Sequence, residues 1–247
     1  MRQTIRVRIS VIVPAFNEER LLSDSLRHIK AAMEVFARRN WSAELIVCDN
    51  NSTDRTAAIA RESGATVVFE PENQIARARN RGASAATGDW LIFVDADSHP
   101  SAELFDDVAA TIESGHCLAG GCTVKLEGNH SKANAVTELW NWISRRCRWM
   151  AGSFIFCEAE AFRSVDGFSQ ELFAGEEIEL SRRLKKVARK TRRRIVILNR
   201  HPLVTSARKV HLYAPREHLW FFVRAIFGGR RVLGSRSACH TWYDGRR

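Results

Sequence analysis

Along its first hundred residues the chain switches between short apolar runs and longer stretches that carry one apolar stripe. Ile9 to Val13, Glu44 to Cys48, Thr66 to Phe69 and Leu91 to Val94 are runs of four or five mostly apolar residues, each closed by a proline, an acid or a turn. Such runs belong to strands buried in a parallel sheet. Between the first two, Leu22, Leu26, Ile29, Met33 and Phe36 recur at alternating spacings of four and three, the stripe of a crossover helix. Asn17 stands where it can cap that helix, placing Glu18 and Glu19 at the positive end of its dipole. A second helix is predicted from about Asp54 to Ser63, stopped by Gly64. A third, rich in small residues, runs from about Gln74 to Ala86. This alternation predicts an α/β fold with a doubly wound, mostly parallel sheet and right-handed crossovers. The strand ends at Pro14, Asp49 and Asp95 should then line one rim.

Past Asp97 the alternation loosens. Glu103 to Glu113 reads as a helix, and Gly120 to Val124 as a turn into a strand. Residues 132–149 read as a helix whose Trp140, Trp142 and Trp149 are expected mainly in the core, although tryptophan faces also stack on sugars. A short strand follows at Ser153 to Cys157, a turn at Asp166-Gly167-Phe168, a helix opening at Gly175 and a strand at Arg194 to Leu198. His218 to Leu233 interleaves large apolar residues with arginines. It is too short and too charged to span a bilayer, and its apolar side either lies on one or packs on the main domain.

Charge divides the chain sharply. Residues 1–180 hold 19 Lys/Arg against 26 Asp/Glu, a net of −7, and the last 67 residues hold 19 against 2, a net of +17. The basic part is suited to an anionic partner, such as a phosphorylated substrate, an acidic lipid surface or nucleic acid. Six cysteines without a Cys-x-x-Cys pair read as buried, reduced thiols. With neither a spanning segment nor a signal peptide in view, a cytoplasmic protein is expected, with peripheral contact at the inner membrane face.

The chemistry concentrates where Leu91 to Val94 ends in Asp95-Ala96-Asp97, closed by Ser98-His99-Pro100. Ligands of open α/β sheets sit outside the carboxyl ends of the strands. Two carboxylates there can hold a hard divalent cation, Mn²⁺ or Mg²⁺, with a diphosphate completing the shell. No Gly-x-Gly-x-x-Gly follows the first strand, which disfavours a dehydrogenase-type dinucleotide site.

Taken together, Ser10-Val11-Ile12-Val13-Pro14-Ala15-Phe16-Asn17-Glu18, Asp49-Asn50-Asn51-Ser52-Thr53-Asp54, Ala78-Arg79-Asn80-Arg81-Gly82, Gly88-Asp89, Asp95-Ala96-Asp97, Asp166-Gly167-Phe168 and Gly175-Glu176-Glu177-Ile178-Glu179-Leu180 resemble the inverting family 2 glycosyltransferases, which have the GT-A fold. The resemblance implies a Rossmann-like half, about 1–98, that binds a UDP- or GDP-sugar. It also implies a smaller acceptor and catalytic half, about 99–213, followed by a basic, aromatic extension over 214–247. Pro14, Ala15, Asn17 and Glu18 match the first nucleotide-contacting loop, and Asp49 the acid that bonds the base or ribose. Arg79, with Arg77 as a helper, matches the basic residue beside the nucleotide. Asp97 matches the direct metal ligand, and Asp95 the ribose and metal-shell partner. The catalytic base falls on Glu177, with Glu176 as the alternative because the family's Glu-Asp is Glu-Glu here. The usual Gly-Gly-Phe is Asp166-Gly167-Phe168.

An inverting transfer needs one base on the acceptor hydroxyl and positive charge on the leaving diphosphate. Arg208 and Lys209 could supply that charge, and His211 a further metal ligand. The acceptor is a hydroxyl, guessed as lipid-linked or polysaccharide. A nucleotidyltransferase is the competing enzyme class, but the Gly-rich basic loop it would show is replaced by Pro14 to Glu18. A non-catalytic binder of acidic lipid or nucleic acid would leave the acids at 49, 95, 97 and 177 without purpose. Nucleic acid is the less favoured partner.

Overall fold

The computed structural model describes residues 7–128 and 131–206. Arg208, Lys209, His211, Cys239 and the extension over 214–247 lie outside the described residues.

Strands β1 (Arg8–Ala15), β2 (Ser42–Asp49), β3 (Thr66–Phe69) and β4 (Trp90–Val94) alternate with helices α1 (Leu22–Arg38), α2 (Thr56–Glu62) and α3 (Ile75–Ala85). The chain continues through β5 (Ser98–His99), α4 (Ala102–Glu113), β6 (Cys117–Leu126), α5 (Ser131–Cys147) and β7 (Phe154–Glu158). It then forms α6 (Ala159–Ser164), α7 (Glu176–Lys190) and β8 (Arg194–Thr205). One sheet runs in the order β3-β2-β1-β4-β7-β6-β8-β5. The first four strands are parallel, β7 is antiparallel to β4 and to β6, β6 and β8 are parallel, and β5 is antiparallel to β8. The architecture is mixed α/β with an eight-stranded sheet, as the alternation of runs and stripes predicts.

Both faces of this sheet are covered. Ile92 and Val94 meet α1 and α4 in one core with Leu26, Phe36, Phe105 and Val108, while Leu91 and Phe93 meet α3, α6 and α7 in another with Phe162, Leu180 and Leu184. That is why Leu91 to Val94 is apolar without alternation. The small residues of α3 let it lie close on the sheet: a Cβ on Gly82 would come within 2.4 Å of Ile12 Cγ2.

Register fixes the rim. Ala15 pairs with Asp49, and Ile12 with Phe93, so the residues after β1, β2 and β4 emerge at one level. Helix α7 starts at the same end, its N-cap Gly175 at φ 73°, a left-handed conformation that glycine adopts without strain.

Three expectations are corrected. Asn17 does not cap α1: its backbone is left-handed at φ 51°, and α1 begins five residues later. Glu18 and Glu19 therefore lie outside its first turn. Instead the carbonyl of Glu18 accepts from the backbone N–H groups of Leu21 and Leu22 in a preceding turn. Ser98-His99 does not simply end the chain's run, since it pairs with Thr205 and Val204 as a two-residue strand. The tryptophans do not fill the core: Trp142 is 59% exposed, and Trp140 and Trp149 are only partly covered. Cys48, Cys117, Cys122 and Cys157 are buried free thiols, and burial pushes the first three up to about 12.

Candidate active site

At the rim the loops after β1 and β2 are laced together by short polar side chains. The Asn17 backbone N–H donates to Ser52 Oγ at 3.0 Å, and Asn17 Oδ1 accepts from the Thr53 backbone N–H at 2.8 Å. The Glu18 N–H donates to Thr56 Oγ1 at 2.8 Å. Asp49 is buried, one carboxylate oxygen accepting from the Ser52 N–H at 3.0 Å. Pro14, Ala15 and Glu18 are buried and Asn17 partly so, which gives a floor of fixed backbone around the ends of β1 and β2. Asn50 extends the lacing, donating to the Glu70 and Glu72 carbonyls and accepting from the Gln74 N–H. Gln74 in turn donates to the Gln170 and Leu172 carbonyls. Neither Asn50 nor Gln74 stands out by spacing in the sequence, because its partners are backbone atoms far away in the chain.

Arg79 is the hub. It is 1% exposed, yet its guanidinium donates to Glu176 Oε1 at 2.7 Å, to Asp95 Oδ1 at 3.0 Å and to the Gly152 carbonyl at 2.7 Å. Burial works against its charge, and Asp95, Glu176 and Glu177 outweigh that. A buried charge of this kind persists only when paired and hydrogen-bonded. Its Cζ also lies 5.2 Å from the centroid of the Phe168 ring. The neighbouring Asn80 accepts from the Phe168 N–H at 2.9 Å and donates to its carbonyl at 2.8 Å. Arg79 and Asn80 thus tie Asp166-Gly167-Phe168 and the start of α7 to the end of β4. This post is more enclosed than the nucleotide-side position that the resemblance implies for Arg79. Arg77 sits one helical step away, partly exposed and paired with Glu72 at 3.1 Å.

The two glutamates at the start of α7 are thereby made unequal. Glu176 is buried and locked onto Arg79. Glu177 is partly exposed, and its carboxyl is pushed up to about 8 by burial first and then by the negative charge of Glu176. A carboxyl whose proton is exchangeable near neutral pH can act as a general base, whereas one held in a buried ion pair is already committed.

Asp95 is partly exposed and Asp97 is 8% exposed, at the turn that closes β4. Their hard carboxylate oxygens are the donor type that Mn²⁺ and Mg²⁺ take. The donor atoms of Asp24, His28 and His99 also lie within 4.8 Å of one another. There the two imidazoles stack at 4.5 Å and Asp24 lies 3.5 and 3.3 Å from them, a clasp between α1 and β5.

Two solved structures share this fold. A mannosyltransferase from Pyrobaculum calidifontis, in complex with GDP-Man and Mn²⁺, superposes with a TM-score of 0.67 at 21% identity, covering 94% of this chain and 64% of that one. Glucosyl-3-phosphoglycerate synthase from Mycobacterium tuberculosis, with Mn²⁺, UDP-glucose and phosphoglyceric acid, gives 0.62 at 20% identity, covering 94% and 80%. These likenesses make the fold GT-A. Among curated sequences, an uncharacterized glycosyltransferase of Mycobacterium bovis is 32% identical over 137 residues, 56% of this chain and 54% of its own length. The 4,4'-diaponeurosporenoate glycosyltransferase of Staphylococcus haemolyticus is 40% identical over 96 residues, 36% of this chain and 24% of its own. The chain thus spans about half the length of the Mycobacterium bovis relative and about a quarter of the Staphylococcus haemolyticus one. Residues 10–168 match the model for glycosyl transferase family 2, well over half the chain, and the protein belongs to that family.

Proposed function

We propose that the protein is a metal-dependent, inverting glycosyltransferase that moves a sugar from a nucleoside-diphosphate sugar to a hydroxyl acceptor. The observation that carries this reading is the buried Arg79 bridge. It joins the carboxylate end of β4 to the start of α7, so a cation-bridged leaving group and a base can face one another. Asp97 and Asp95 would hold Mn²⁺ or Mg²⁺, which when bound neutralises charge on the departing diphosphate. Asp49 and the fixed backbone of Pro14, Ala15, Asn17 and Glu18 receive the base and ribose, with Arg77 at the rim. Glu177 takes the acceptor proton, and Glu176 keeps Arg79, and through it Asp95, in place. Inversion follows from a single displacement in which Glu177 lies on the acceptor side, opposite the leaving group.

In this reading residues 1–98 serve the donor and 99–213 the acceptor and base. Arg208 and Lys209 add positive charge for the diphosphate, and His211 is a supplementary metal ligand. The acceptor is lipid-linked or a polysaccharide, and the basic region over 214–247 meets an acidic membrane surface from the cytoplasmic side. No helix among the described residues is long and apolar enough to cross a membrane.

The test is a thermal-shift panel of UDP- and GDP-sugars with and without Mn²⁺, followed by NMR of the anomeric proton of the product. A cation-dependent rise with one donor and an inverted product support the reading. No response to any nucleotide-sugar, or a retained configuration, refutes it.

A further inference from the structure

Helix α5 is inside out. It buries Asn141 and Ser144, at 6% and 0% exposure, and shows Val136, Leu139 and Trp142 to solvent at 62%, 58% and 59%. Asn141 accepts from the Val124 N–H and donates to the Val124 carbonyl, both at 2.9 Å, and Ser144 Oγ donates to the Trp149 carbonyl at 2.6 Å. Asn141 therefore fastens the helix to β6, while Ser144 closes the turn that follows its C-terminal end. At about 100° per residue, Val136, Leu139 and Trp142 fall on one side and Arg146 joins them there, opposite Asn141 and Ser144. A water-facing helix has no use for this arrangement, and contiguous exposed apolar surface marks an interaction site.

The C-terminal end of α5 opens on a strongly basic cavity of about 210 Å³, lined by Arg146, Arg148, Lys185, Arg189, Arg193 and Arg194. Arg193 is paired with Glu158 at 2.7 Å. Lys185 donates to the Cys147 carbonyl. Its ammonium is held below its ordinary value by burial and by the neighbouring cations Arg148, Arg182 and Arg189. The cations in this cavity repel one another, and an anion would relieve that. Lys185 lies eight residues along α7 from Glu177, about 12 Å at the rise of a helix, so the cavity is separate from the proposed donor site.

We propose that the exposed side of α5 and this cavity form one docking surface for an acidic phospholipid bilayer, the apolar ridge entering the interface and the cavity taking a headgroup phosphate. An apolar ridge with a tryptophan, bordered by arginines, is the composition that lies in a bilayer interface. Unlike the membrane contact proposed above for residues 214–247, this one involves only described residues. It does not depend on the donor or the acceptor. It also sets a direction: Arg148 is four residues from Gly152, whose carbonyl Arg79 holds, so the docked face leads by a short segment into the catalytic rim.

The test is co-sedimentation of the full-length chain with vesicles of phosphatidylcholine alone and with 30 mol% phosphatidylglycerol. Wild type should bind only the acidic vesicles. R146Q/R148Q should weaken binding about thirty-fold, from about a fivefold contribution of each arginine near an acidic surface, and L139E/W142E should weaken it at least about tenfold. Both pairs are exposed, and unchanged melting temperatures would show that folding is intact. Binding by both variants equal to wild type overturns the proposal while leaving a contact through residues 214–247 standing. Absence of wild-type binding removes both. Loss with R146Q/R148Q alone, with millimolar inorganic phosphate competing, means an anion site without a bilayer and also overturns it. So does a dimer in sedimentation velocity that L139E/W142E dissolves.

Discussion

Glu177→Gln separates the proposed base from its neighbour through stability as well as rate. In the folded protein the Glu177 carboxyl is raised from 4.5 to about 8. The unfolded chain therefore loses this proton first, and between about pH 4.5 and 8 the folded state binds more protons. Stability consequently falls as pH rises through that window. One unit of displacement is worth about 1.4 kcal/mol, which sets a ceiling near 5 kcal/mol. Water and Arg79 relax around a partly exposed group, so a value on the order of 2 kcal/mol is expected. Glutamine does not titrate. The melting temperature of Glu177→Gln relative to wild type should then climb from pH 5 to pH 9, by about 4–8 °C for a chain of this size. Differential scanning fluorimetry without metal or nucleotide measures it, and any constant packing difference cancels in the slope. A gap that stays flat, or that closes with pH, would refute the reasoning, because it would mean Glu177 ionises like an ordinary carboxylate. In the kinetic arm, wild-type kcat/KM should rise with pH along one limb, and Glu177→Gln should lose about two to four orders of magnitude in turnover with donor affinity nearly intact. A cation bound at Asp95 and Asp97 favours the ionised form and draws that limb below the thermal one.

Other substitutions test the surrounding parts. Asp97→Ala should abolish transfer and remove the Mn²⁺-dependent part of the thermal shift given by the donor; an undiminished shift would take the metal away from Asp97. Arg79→Ala should cost about 3–5 kcal/mol in urea denaturation, since it leaves Glu176 buried and unpaired, and Arg79→Lys should restore little because one ammonium cannot span three acceptors. Gly82→Ala should cost about 1–3 kcal/mol by overpacking Ile12, read as a lower urea midpoint at constant slope.

The half of the fold built from β1 to β4 is legible because β1, β4 and the latter part of β2 are buried and α1 has one stripe, so pattern and burial coincide. The errors fall where polar groups take on packing roles. Asn17 looks like a helix cap but spends its side chain on Thr53, across the two loops. The tryptophans near α5 look like core, yet the core side of that helix is Asn141 and Ser144, whose partners are backbone atoms that no spacing reveals. The acids at the strand ends could be found from the sequence, since an acid closing an apolar run is a local feature. The inequality of Glu176 and Glu177 could not be, because it depends on which of them Arg79 reaches from 97 residues earlier in the chain.

Gln74, Arg79 and Asn80 have a consequence for how the chain can be divided. All three stand on or beside α3, and their partners are at 170, 172, 176 and 168. A fragment ending near residue 98 would keep Asp95 but leave the Arg79 guanidinium without Glu176 and the Gly152 carbonyl, while its complement would lose the brackets that shape the approach to α7. The proposed donor and acceptor parts therefore have no seam between them at this boundary. Exchanging one portion for that of a relative would need these side chains and their receivers transplanted as a set.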